Sequence, residues 1–249
     1  ALANTNLTLH FYVLDNPLNF GMKGLFTLQD IRFRLGSTKW FLGANYGYFN
    51  SEVDFKNDNA SGSPGDSQTS NAGLGALAYF DNRDTTFTPN TGREFETKIS
   101  RYDTWLGGDY KYWQFDLDLK SFHQVHPDWV FGWRVKGSAT DGKGPFWALP
   151  FVWMRGIPAM RYQGDSIAQI ETEARWDFKG PWSLVGFVGY GQTWSDIRIL
   201  DSDDLILAGG AGIRVNIAPK LKFRTGIDIA RGPEDWAFYI VTGDAWFRH

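Results

Sequence analysis

The stretch that decides the fold runs from residue 153 to residue 178: Trp153-Met154-Arg155-Gly156-Ile157-Pro158-Ala159-Met160-Arg161-Tyr162-Gln163-Gly164-Asp165, then Ser166-Ile167-Ala168-Gln169-Ile170-Glu171-Thr172-Glu173-Ala174-Arg175-Trp176-Asp177-Phe178. Its second half alternates. Ala168, Ile170, Thr172, Ala174, Trp176 and Phe178 fall on one side, and Gln169, Glu171, Glu173, Arg175 and Asp177 on the other. A period of two predicts a β-strand. One lipophilic face opposite a row of polar and charged groups suits a wall between lipid and water better than the middle of a soluble sandwich. Arg155-Gly156 sits in the long loop just before this strand, within reach of its carboxylates.

Composition points the same way. Twelve Trp, ten Tyr and twenty Phe beside 28 Gly and three Met, in 249 residues, favour strands and turns over a helical bundle. Mean hydropathy is −0.34 and no long uncharged apolar run occurs, which excludes a transmembrane helix. A membrane-spanning structure would therefore be a closed barrel, because in lipid an open sheet edge leaves backbone amides without partners. The absence of cysteine removes disulfides, zinc-thiolate sites and cysteine nucleophiles together. A net charge of −3 with singly spread basic residues gives no reason to expect nucleic acid as a partner. The opening Ala1-Leu2-Ala3 shows no signal-peptide pattern.

Twelve segments read as strands: 7–13, 24–35, 39–55, 72–83, 92–103, 109–123, 129–139, 167–178, 182–194, 205–217, 221–231 and 237–247. In 109–123, Trp113, Phe115, Leu117 and Leu119 oppose Gln114, Asp116, Asp118 and Lys120. In 221–231, Leu221, Phe223, Ile227 and Ile229 oppose Lys222, Arg224 and Asp228. The connections at 14–23, 56–71, 104–108, 140–166, 195–204 and 232–236 include all the longest, while those of the other side, such as Lys179-Gly180-Pro181, are mostly tight. That asymmetry predicts short periplasmic turns, longer outer loops and both termini in the periplasm. Trp40, Trp129, Trp176, Trp182 and Trp246 are expected at the periplasmic rim and Trp194 and Trp236 at the outer one, with the indole N–H among headgroups. The rival reading is a soluble sandwich or lipocalin-like barrel, whose small interior has no room for so many large residues.

Three motifs go beyond a generic barrel. The first is Tyr79-Phe80-Asp81-Asn82-Arg83-Asp84 with Phe87, Pro89 and Gly92, where strand end, acidic turn and next strand follow in order. The second is Met154-Arg155-Gly156 with Glu171, Glu173 and Arg175 downstream. The third is Gly186-Phe187-Val188-Gly189-Tyr190-Gly191-Gln192-Thr193-Trp194. Together they resemble the bacterial surface antigen family, the outer-membrane assembly-factor barrels of the BamA and TamA type, over about residue 24 to the end. The resemblance implies an all-β, closed antiparallel transmembrane barrel, here with the about twelve strands read above, a single domain over 1–249, with loop 140–166 folded into the lumen. It implies that Arg155, freed by Gly156, pairs with acids on the following strands, Glu171 and Glu173 first. It makes Asp81, Arg83, Asp84, Pro89 and Gly92 a periplasmic turn motif. Where the family carries an acid after the Phe-Val of the third motif, this sequence has Gly189. The family barrel also has sixteen strands and periplasmic polypeptide-transport-associated (POTRA) domains. A short form without these, missing the first four strands, is the expectation here.

Function follows less directly. The resemblance implies a bacterial outer-membrane barrel that assists insertion or transport of protein or lipid, opening at the seam between the strands at 7–13 and 237–247. Its partners would be outer-membrane lipid and a separate periplasmic protein or client polypeptide, with room for a homo-oligomer. A passive pore or structural barrel is the alternative. A lipid hydrolase is a remoter one: Ser121 and His123 share a face, but neither a third residue nor an oxyanion donor is in sight. No cofactor or metal is expected. Asp201-Ser202-Asp203-Asp204 is acidic enough to hold calcium loosely, yet reads as a solvated loop.

Overall fold

Alternation of apolar and polar residues carries the chain through twelve strands: β1 (Leu2–Val13), β2 (Asn16–Arg34), β3 (Trp40–Phe55), β4 (Ser67–Asp81), β5 (Gly92–Tyr102), β6 (Lys111–His126), β7 (Trp129–Lys143), β8 (Ser166–Lys179), β9 (Trp182–Trp194), β10 (Ile206–Ala218), β11 (Phe223–Arg231) and β12 (Trp236–Thr242). They form one sheet in sequence order, each strand antiparallel to the next. This computed structural model describes residues 2–13, 16–55, 67–195 and 205–246, and the side chains of 24–50, 69–195 and 205–246. Residues 56–66 of the polar loop, Asp201–Asp204 and His249 lie outside the described residues, as do the side chains of Leu9 and His10.

Burial is inverted relative to a water-soluble sheet. On β8, Ile170 and Trp176 are 44% and 41% exposed while Glu171 and Arg175 are each 5% exposed. On β11 the contrast widens, with Ile227 57% exposed and Asp228 fully buried. Apolar side chains turned outward along β2 to β12 form a patch far beyond what a monomer tolerates in water, which a lipid surround would cover.

The sheet curls around its charged face. Arg32 of β2 reaches over two intervening strands to Glu96 of β5 at 2.8 Å, and Lys98 of β5 meets Asp30 of β2 at 3.1 Å. Small residues lie in the path of this reach: Gly43 of β3 is opposite Arg32, and Gly75 of β4 is opposite Asn45, itself opposite Asp30. At the far side, Lys222 pairs with Asp84 at 2.6 Å, joining the β10–β11 turn to the β4–β5 turn.

Two expectations are corrected. The loop placed at 14–23 is mostly strand: β2 begins at Asn16, with Val13 paired to Asn16 and Tyr12 to Pro17. Proline lacks an amide hydrogen but is tolerated this close to a strand end. The last strand stops at Thr242 rather than 247, because Gly243 takes φ +79° and its N–H donates to the Arg224 carbonyl at 2.7 Å. The chain then turns onto the charged face. Trp246 is therefore not at the rim: it is 3% exposed, with its ring 5.7 Å from that of Phe122.

Candidate functional site

The loop between β7 and β8 folds back on itself before it packs. The Val152 N–H donates to the Tyr162 carbonyl at 3.0 Å and the Gly164 N–H to the Pro150 carbonyl at 3.1 Å. Gln169 of β8 then clamps it, accepting from the Trp153 N–H at 2.9 Å and donating to the Trp153 carbonyl at 2.8 Å. Val152, Met154, Ile157 and Tyr162 join Ile167, Ile206 and Ala208 in one buried cluster. An apolar side of the loop thus fits among the small residues of β8 to β10, leaving Arg155 to the charged groups.

Arg155 is 6% exposed. Its Nη1 lies 2.8 Å from Glu173 of β8 and 2.9 Å from Asp228 of β11. Its guanidinium carbon stands 3.5 Å from the centroid of the Phe187 ring, on β9. Asp228 has a second cation, since Arg214 of β10 donates to both its oxygens at 2.5 and 2.9 Å. A carboxylate with no solvent contact is tolerable only when paired in this way. Glu171, the other acid expected at Arg155, instead lies 3.7 Å from Arg134 and accepts from Gln169 at 3.3 Å.

Gly156 takes φ +92°, and a Cβ there would come within 3.1 Å of the Arg231 carbonyl carbon. Its N–H donates to the Tyr239 hydroxyl of β12 at 2.8 Å. Arg161 and the Tyr162 hydroxyl both engage Glu234 in the β11–β12 turn, Arg161 at 3.0 Å. The loop is thereby fastened to the last hairpin.

The turn motif lies at the opposite end of the sheet. Arg83 grips Asp81 through Nε and Nη2 at 3.0 and 2.9 Å and reaches Glu94 at 2.7 Å. Asp84 accepts from the amides of Asn90 and Thr91 at 2.9 and 3.2 Å. Burial pushes the Asp84 carboxyl up, but the Lys222 ammonium and these amides outweigh it and hold it below the usual range. Gly92 has φ +104°, and a Cβ would lie 2.6 Å from the Arg83 Cα. Pro89 is enclosed. Arg175 joins this turn and not Arg155, donating to the Pro89 carbonyl at 3.5 Å and to the Asn90 side chain. Beside it, burial pushes the Asp244 carboxyl up to about 6, against the pull of Lys120 and Arg83.

Sequence reasoning missed Asp228, Tyr239, Glu234 and Asp244 as members of this network. Asp228 and Glu173 each stood on a charged row, which was the available signal. Gly189 has its own explanation: a Cβ there would meet the Met154 sulfur at 2.8 Å and the Glu171 Cγ at 3.0 Å, so the loop occupies the space of the missing acid. The Ser121 hydroxyl lies 2.9 Å from His123 Nε2, and Ser121 is fully buried.

An antiparallel meander, oily outside and ionised inside, with a loop fastened to its charged face, is the architecture of an outer-membrane β-barrel protein. The Omp85 superfamily domain matches residues 15–152, more than half of the chain, and the chain belongs to that superfamily. This match takes in the turn motif and ends before Arg155. Among solved structures the chain is similar to BamA from Haemophilus ducreyi lacking POTRA domains 1-3, with TM-score 0.70 and 12% sequence identity over 97% of this chain and 57% of that one. At that identity the likeness is one of fold, and this chain spans 57% of the length of its counterpart. No curated protein matches. The protein is a bacterial outer-membrane member of the Omp85 superfamily with a BamA-like fold.

Proposed function

We propose that residues 1–249 form one closed barrel across the outer membrane, that loop 140–166 occupies its lumen, and that the barrel assists insertion or transport of protein or lipid by opening between β1 and β12. The observation that supports this reading is the state of the two end strands, which closure of the barrel would join. Among the described residues β1 pairs only with β2 and β12 only with β11. β12 is also only 7 residues long, against 19 in β2. A seam limited to the length of β12 would be weak, and a strand with a free edge can template another by backbone pairing. The partners of this reading are outer-membrane lipid and a client polypeptide, delivered by a periplasmic protein. Cysteines introduced at Leu9 and Val241 and oxidised to a disulfide should block insertion of a client barrel into vesicles carrying the protein. Full activity with the seam locked would end this mechanism.

The second reading is a passive or structural barrel, favoured by the density of ion pairs on the charged face, among them Arg134 with Asp118 at 2.5 Å and Lys120 with Glu94 at 3.2 Å. Steady conductance in a planar bilayer would support a pore. A silent bilayer together with client insertion would support assembly.

A further inference from the structure

The charged face has a hollow that none of these roles uses. Two adjoining cavities, of about 390 and 400 Å³, share Leu28, Gly47, Tyr102 and Gln114 in their walls and make up a two-part chamber beneath β2 to β6. Gly47 is part of the wall common to both, and opposite it the absence of a side chain at Gly73 lets the Tyr102 ring lie flat, where a Cβ would come within 2.5 Å of it. One end is aromatic. The rings of Phe49 and Trp147 meet edge to face at 4.9 Å, and Tyr102 stacks on Tyr112 at 4.4 Å.

The other end carries acids. Asp30 is matched by Lys98 at 3.1 Å and Arg32 at 3.0 Å. Asp116 accepts hydrogen bonds from Ser138 at 2.6 Å and Gln114 at 3.1 Å, but no cation lies within ion-pair distance among the described residues. Lys98 stands directly opposite it on β5 and turns its ammonium to Asp30 and Glu96 instead.

We propose that this chamber binds a small organic cation, an ammonium on an aromatic or alkyl body. The aromatic end takes the apolar body, and Tyr102, in the wall common to both cavities, stands between it and the acids, where a ring can attract an ammonium. Asp116 supplies the counter-charge. The combined space is that of an ordinary small-ligand site, mostly apolar with a few fixed polar groups.

The test is calorimetric titration of the whole protein, in a nonionic glycol-headed detergent, with benzyltrimethylammonium. Benzyl alcohol and maltose serve as neutral controls. Saturable binding is expected, at least tenfold tighter than either control. D116N and W147A should each weaken it at least tenfold. D30N should weaken it as well, because Lys98, released from Asp30, would swing to Asp116 and neutralise it. Retained heat-dependent gel mobility shows that each variant is folded, and a variant that fails this check is replaced by D116S or W147L. Benzyl alcohol binding as tightly as the cation, maltose binding in its place, no saturable binding, or undiminished affinity in the Asp116 variant would each overturn the proposal.

Discussion

Arg155 donates to Asp228 at 2.9 Å across 73 residues of chain, and Arg214 holds the same carboxylate from the other side. One fully buried acid on β11 thus ties the β7–β8 loop to β10 and β11. Glu173 gives Arg155 its second partner on β8.

Removing the charge of Asp228 leaves two buried guanidiniums short of a partner. D228N should cost about 3 to 5 kcal/mol, and R155A a similar amount through Glu173 and Asp228 together. Urea midpoints in lipid vesicles, followed by tryptophan fluorescence, read this out. An unshifted midpoint for D228N would show that the pair is too wet to matter.

At Gly156 the backbone conformation and the space both demand glycine. G156A should cost about 1 to 3 kcal/mol, since a non-glycine residue must hold an unfavourable φ against the Arg231 carbonyl. The loop should loosen first. Trypsin cleavage at Arg155 or Arg161 should appear in G156A before global unfolding, and equal resistance to that of the parent would contradict the packing described.

Asp244 makes stability depend on pH with a definite sign. Its carboxyl, raised by burial to about 6 from an ordinary 3.8, keeps its proton in the folded state over a range where the unfolded chain has lost it. Folding stability from this group is therefore greatest below pH 4, falls as pH rises to about 6, and is flat above, a loss on the order of 2 to 3 kcal/mol. Lys120 and Arg83 oppose the shift and Glu173 reinforces it. D244N should remove this fall, so the difference in stability between parent and variant should change across that window. A constant difference from pH 4 to 7 would contradict it.

Trp246 fills the space above Gly132, where a Cβ would lie 3.0 Å from its ring. W246A should cost about 3 to 5 kcal/mol by leaving a cavity, while W40A, on the outward face, should cost less. Equal costs in a lipid bilayer would return Trp246 to the rim.

The sequence by itself determined most of the strands and the two faces of the sheet. Alternation is a local property of extended backbone, so Ile170 against Glu171 or Ile227 against Asp228 could be read residue by residue. It also brought Arg155 and Glu173 forward as candidates, because both belong to one short stretch. Tertiary structure alone decided which acid meets which cation. The curl of the sheet brings Asp228 to Arg155, sends Arg175 to the turn at Pro89, and gives Glu171 to Arg134, and no local period encodes that curl. The fate of Trp246 was decided in the same way. Its apolar character suits either a membrane rim or an interior, and only the turn at Gly243, made where the Arg224 carbonyl receives its amide, put the ring inside.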